Sequence, residues 1–470
     1  MEQQRDMSET AGVSKKVVQK WMAPQAPDAV TFSFPMVMYL VYLGMEYMRP
    51  PNPMGIPLVI SIALVFVWLS QPKKIWAPQF YCFFALEAVI AVMGPFAENN
   101  YNVFMWFRNL GVLLICIVIP LVHVVNTERR FSVFIGGITV VMVYLGLYAI
   151  THGGRGPGGH VGDENDTSLA LNSFIPLVFL SMFLAKTVLQ RILYGFAVGI
   201  MVLGVAATMS RGGFIGLVAA LGYCFFLTPS KAKTLALGFV MVLILIPLAP
   251  EKYWDEIASI GTEAGNEDPR KGTGALRREY WQTAREMFKA NPIFGVGAGN
   301  FQWEVGNYQT PDQFERLGRS LDGQECHSVY FATLAEIGGA GFGLFLAILW
   351  YNVRDLGGMI TAKQPLTSDH KWIGSFDRLA PVKALSVDSA VRLHQSQSVP
   401  VEEPARIGSI EQSRLTLYAH GLRGGILGFL VSGIFLSAFG YPPFWLLTGL
   451  VVALKVISAP QPATRPVEST

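Results

Sequence analysis

Twelve runs of apolar residues, each near the length of a membrane crossing, constrain this chain more than any other feature. They lie at Phe32–Tyr47, Ile56–Leu69, Phe80–Phe96, Val103–Val125, Phe131–Ile150, Ser168–Ala185, Ile192–Thr208, Phe214–Leu227, Leu235–Leu248, Val329–Trp350, Leu415–Phe439 and Phe444–Ile457. A helix needs about 20 apolar residues to cross the hydrocarbon core, so the shorter runs must extend into their flanks. Lipid offers the backbone no hydrogen bonds, and runs of this length satisfy their own only as helices. Composition agrees: 51% of residues are hydrophobic and 15% charged, against roughly 25% charged in soluble domains. The expected fold class is an all-α polytopic membrane protein with about 12 transmembrane helices.

Orientation follows from the bias of Lys and Arg toward cytoplasmic loops. Arg5, Lys15, Lys16 and Lys20 mark the N-terminal tail (1–29) as cytoplasmic. Alternate loops then carry Lys73 and Lys74, Arg129 and Arg130, Lys186 and Arg191, and Lys231 and Lys233. The opposite loops are nearly free of positive charge apart from Arg49 and Arg155. Spans one to nine occupy 30–249, span ten 327–350 and spans eleven and twelve 415–458, which leaves a cytoplasmic tail at 459–470. A long loop at 250–326 falls outside and holds a helix-like stretch, Leu276–Ala290, so a folded cap is expected there. The segment 351–414 falls inside and reads as a flexible insertion, rich in Ser, Gln, Pro and charge. Neither a net charge of +3 nor the four scattered cysteines suggests nucleic-acid binding, a zinc site or a disulfide framework. No cofactor is called for.

The polar residues that fit a plain bundle least cluster on the outer side. Arg211 follows Ser210 and precedes Gly212 and Gly213; a forked guanidinium beside glycines suits an anion, or it snorkels to headgroups. Arg277 and Arg278 open the cap stretch, and adjacent helical positions cannot point the same way. The glycine-rich run Asn291–Phe301 reads either as a phosphate-cradling nest or as a structural turn. His327 stands where the chain re-enters the membrane and either holds and releases a proton near neutrality or is simply a structural residue of the interface. Asp163, Glu164 and Asp166 precede the sixth span and read better as a helix cap, with Asp166 or Thr167 as the N-cap, than as a cation site. Arg108 lies about one turn inside the fourth span, where an arginine is expected to face a partner or a cavity.

In order, these pieces resemble the O-antigen ligase and polymerase superfamily of bacterial membrane glycosyltransferases. The matching segments are Asp163-Glu164-Asn165-Asp166, Ser210-Arg211-Gly212-Gly213, Arg277 four residues before Trp281, Asn291–Phe301, and His327-Ser328 leading to Ala335-Glu336-Ile337-Gly338. The likeness covers about Gly162 to Trp350; the first five spans match in hydropathy only, and Ser328 stands where the family more often has Asn. It implies a multi-pass protein of the bacterial inner membrane that works on the periplasmic face. The implied donor is a glycan on polyprenyl (undecaprenyl) diphosphate, and the acceptor a glycan, lipid A core or a protein. It casts His327 as base and Arg211 and Arg277 as diphosphate holders, without metal. Arg108, Arg278, Ser210 and Gly212 are further candidates for substrate contact. A polymerase would share the same site, and a transporter for an anionic substrate is the more distant alternative.

Overall fold

The structure is a computed structural model that describes residues 31–52, 55–228, 231–232, 258, 273–361 and 403–459. It is helical throughout, with no strand among the described residues. The helices are α1 Phe34–Met48, α2 Ile56–Leu69, α3 Pro78–Met93, α4 Asn100–Val124, α5 Glu128–Thr151, α6 Glu164–Leu184, α7 Val188–Ala207 and α8 Arg211–Leu227. After them come α9 Thr273–Ala290, α10 Val329–Thr361, α11 Glu403–Ser432 and α12 Pro442–Ser458. All the predicted spans except the ninth, Leu235–Leu248, overlap these helices, and that one lies outside the described residues; α10 runs on to Thr361 and α11 starts at Glu403, so both ends of the segment expected to be a flexible insertion are helical.

The expectation of twelve crossings meets a stricter measure here. Among the described residues, six helices are both long and apolar enough to cross a membrane: α3 with its 3-10 extension, α4, α5, α6, α7 and α10. Helices α1, α2, α8 and α12 hold 15, 14, 17 and 17 residues, short of the ~20 that a full crossing takes. Helix α11 opens on a charged segment.

Helix α6 is the hub, with 78% of its most apolar window buried, and it packs on α5, α7, α8 and α11. Its neighbour α11 comes close because Gly421, Gly424, Gly425 and Gly428 face Leu177, Pro176, Ser173 and Asn172. Lipid gives apolar helices little hydrophobic reason to associate, so contacts of this kind rest on close van der Waals packing across small residues. Asn172 adds a polar tie: its Nδ2 donates to Gly213 O at 2.8 Å and to Ser432 Oγ at 3.1 Å, which joins α6, α8 and α11.

The cap expected between the ninth and tenth spans is folded where it is described. Helix α9 and two short helices, Phe301–Glu304 and Pro311–Leu317, enclose a small core of their own around Tyr280, Met287, Val305 and Leu321. Glu279 fixes it by pairing with Arg316 at 2.9 Å and accepting from Gln313 at 3.0 Å.

Candidate functional site

The polar motifs meet at one end of the bundle, and each is placed by local backbone chemistry. Asp163 caps α6, accepting from Asn165 N at 2.7 Å and Asp166 N at 3.4 Å, so the cluster does cap the helix, but through Asp163 and not through Asp166 or Thr167, which lie inside it. Met209 turns the chain in the left-handed region (φ 51), and Ser210 then caps α8 with Gly213 N on its Oγ at 2.9 Å. The Ser210 hydroxyl in turn donates to Asn165 Oδ1 at 2.7 Å. The two motifs, 45 residues apart in sequence, are thus bonded to each other.

This geometry reassigns the neighbours of Arg211. The Ser210 hydroxyl gives its one proton to Asn165 and accepts from Gly213 N, which leaves it a lone pair but no donor to offer an anion. Gly212 turns its bare face to Phe435, whose Cβ would lie 2.9 Å from any Cβ added there; Gly213 does the same toward Ser168. The glycine pair makes room for this packing. Arg211 itself is half-buried as the first residue of α8.

On α9, adjacent arginines diverge as helical geometry demands. Arg278 is exposed, while Arg277 is half-buried and sets its guanidinium carbon 5.9 Å from the centre of the Phe435 ring. One turn on, Tyr280 lies 6.0 Å from His327, and Trp281 stacks on Phe331 at 5.3 Å and neighbours Phe435 at 6.5 Å. Arg108 is not part of this group. It is exposed, and its guanidinium is held by the adjacent Asn109 at 2.9 Å, so of the expected partner or cavity it has the partner, one residue away.

His327 has φ 50, a left-handed backbone that is uncommon outside glycine. Such a residue costs on the order of 1–3 kcal/mol and persists only where its surroundings hold it. Here Cys326 is buried in the cap core on one side and α10 begins on the other. Burial first, then the Arg277 charge, hold the imidazole below its ordinary pKa, with Asp163 opposing. It is therefore neutral near pH 7, the form that accepts a proton. Its Nδ1 is buried and takes no hydrogen-bond partner among the described residues. Glu325 stands nearby, its carboxyl pushed up by partial burial and by Asp163. Tyr441, just ahead of α12, is hydrogen-bonded to Asp166.

The glycine-rich run is a structural turn. Helix α10 breaks at Gly338 (φ 64, ψ −168), and the turn takes up the backbone groups that the break releases. Val296 N and Gly297 N donate to Ala335 O and Glu336 O at 2.9 and 2.8 Å; Gly339 N and Ala340 N donate back to Pro292 O and Ile293 O at 2.8 and 3.0 Å. The Glu336 carboxylate accepts from Phe301 N at 3.1 Å. These amides are occupied within the protein, so the turn locks the cap to α10 and cradles no phosphate with them.

Phe435, Tyr280 and Tyr441 escaped the sequence reading. Phe435 sits in an apolar run taken as one span to Phe439, but α11 stops at Ser432 and a 3-10 turn, Gly433–Phe435, follows. The Ser-Gly pair at 432–433 was the available signal.

Two arginine-bearing segments thus converge on one aromatic ring, with a neutral histidine beside the second. The arrangement can hold an anion and take up a proton. Residues 196–346 match a family model described as O-antigen ligase, a stretch that contains Arg211, Arg277 and His327. No curated protein matches the chain.

Proposed function

With residues 196–346 carrying the O-antigen ligase domain, we propose that the chain is an inverting, metal-independent glycosyltransferase. It takes a glycan from an undecaprenyl diphosphate carrier to an acceptor hydroxyl on the periplasmic face of the bacterial inner membrane. The observation that carries this reading is the meeting of the Arg211 and Arg277 segments at Phe435, beside a His327 held neutral.

The acceptor hydroxyl attacks the anomeric carbon and gives its proton to His327 as the new C–O bond forms. The bond from that carbon to the diphosphate oxygen breaks, and its electron pair leaves on the lipid diphosphate. Arg211 and Arg277 offer forked donors to the charge that grows there, in a place partly shielded from water. A single displacement inverts the anomeric configuration. Ser210 and Gly212 support this site by capping and packing, and Arg108 and Arg278 stand outside it.

The test is transfer by the purified full-length protein from an undecaprenyl-diphosphate-linked glycan, with lipid A core as acceptor and with chelator present. The expected product is one glycan per acceptor with inverted linkage, made at a rate that chelation barely changes. Elongation of donor glycan without lipid acceptor would mark a polymerase with the same site. Loss of activity restored by magnesium would overturn the metal-independent step and turn attention to Asp163, Glu164 and Asp166. Orientation has its own check. A cysteine at the exposed Glu315 should react with an impermeant maleimide in intact spheroplasts, and failure to label would place the cap in the wrong compartment.

A further inference from the structure

Phe435 stands where α8, α9 and α11 meet, and no sequence motif marks it. Its Cβ and ring fill the space above Gly212 at 2.9–3.3 Å from where a Cβ would lie. Its ring lies 5.9 Å from the Arg277 guanidinium carbon and 6.5 Å from the Trp281 ring. Trp281 continues to Phe331 at 5.3 Å, so an aromatic row runs from α10 through the cap helix to the start of α8. The backbone beneath the ring is fixed as well. Ser432, where α11 ends, is held by Asn172 at 3.1 Å, and Gly433 backs onto Val329.

We propose that Phe435 is a positioning residue of the donor site, whose ring face orients Arg277 so that Arg277 and Arg211 address a single diphosphate. The inference rests on the diphosphate reading given above. A ring attracts a cation through its π face, so the contact steers the guanidinium without using any of its N–H donors. A carboxylate in the same place would orient Arg277 equally well but would compete with the phosphate for those donors. Gly212 is the other half of the device, because any side chain there would drive the ring away from α8. Leucine at 435 would fill much of the space and lose the attraction.

The experiment compares Phe435→Leu with Phe435→Trp in the full-length protein, reading equilibrium binding of undecaprenyl diphosphate and the donor and acceptor KM. Phe435→Leu should weaken carrier binding and raise donor KM by about 3–30-fold, the worth of a partly desolvated cation–π contact. Acceptor KM should stay unchanged, and Phe435→Trp should remain within about twofold of the parent because it keeps a π face. In an Arg277→Ala background, Phe435→Leu should add little, because the residue it positions is gone. Equal losses in the Leu and Trp variants, full additivity with Arg277→Ala, or slower transfer with unchanged carrier binding would each reduce Phe435 to packing and overturn the proposal. Should Phe435→Leu fail to fold, Phe435→Met carries the same comparison, since methionine fills irregular gaps. A parent protein that binds no undecaprenyl diphosphate would instead bring down the donor reading itself, a result visible before any variant is made.

Discussion

The two ends of helix α10 handle buried polarity in opposite ways. Roughly 25 Å beyond the break at Gly338, by a rise of 1.5 Å per residue, Asp355 lies with its side chain 4% exposed between Arg354 at 2.8 Å and Lys455 at 3.0 Å. It also accepts from Gln79 at 3.2 Å, and the neighbouring Asn352 donates to Thr448 at 2.8 Å. Each of those charges has a partner, and the partners come from α3, α10 and α12. Among the described residues, Gln79 Oε1 is left unpaired at that end, while at the His327 end His327 Nδ1 and Trp281 Nε1 are. The backbone there is also bent into left-handed conformations at Met209 and His327. An unpaired buried polar atom costs about 1–3 kcal/mol. The first end uses its charges to hold helices together, and the second adds backbone strain to its unpaired nitrogens where a substrate would arrive.

Substitutions at the two ends should therefore separate catalysis from stability. The largest effect is expected from His327→Ala, which should slow transfer by about 10²–10⁴-fold while carrier binding persists. Arg277→Ala should cost about 10²–10³-fold and weaken carrier binding too, because its phosphate contact precedes the reaction. A well-folded His327→Ala protein that transfers at the parental rate would remove the histidine from the mechanism. Gly338→Ala comes next, since its Cβ would lie 2.4 Å from Ile293 O on a backbone that L side chains rarely adopt. A loss of about 1–3 kcal/mol or more, seen as a lower melting temperature and faster proteolysis of the cap, should accompany lost transfer. An unchanged melting temperature would mean that the break is not held by the turn.

Asp355→Ala tests the other end. Arg354 and Lys455 are nearly half exposed and can turn to water, so about 1–2 kcal/mol of stability should go, toward the lower part of the range for leaving a buried group without its hydrogen-bond partner. Transfer per folded molecule should stay within twofold, and a selective loss of kcat would erase the contrast between the ends.

The smallest effect is on pH dependence. The His327 imidazole is held below its ordinary value, so transfer should fall as pH drops through that lowered value. Any stability linked to the neutral form is present above the unfolded imidazole value and lost on the same descent. Arg277→Gln removes the cation that depresses it, so the residual activity should show its acid limb at higher pH. Asp163→Asn removes the opposing carboxylate and should move the limb lower, with asparagine still able to cap α6. Identical limbs in all three proteins would assign the acid limb to another group.

The sequence alone determined the helical bundle, because apolar runs near bilayer length have one way to satisfy their backbone in lipid. It also determined the ordered motifs with Arg211, Arg277 and His327, whose side-chain chemistry is legible without coordinates. The folded cap was legible too, in the amphipathic stretch at Leu276–Ala290. What it left open was which groups remain available. Ser210 and Gly212 look like ligand contacts in a motif, and only the tertiary structure shows the Ser210 proton given to Asn165 and the space over Gly212 taken by Phe435. The choice between Arg277 and Arg278 depended on which face of α9 meets Phe435. The glycine-rich run could be a nest or a turn until the break at Gly338 supplied partners for its amides. Local sequence fixes what a residue can bond. Tertiary contact, between segments far apart in the chain, decides whether that bond is already made.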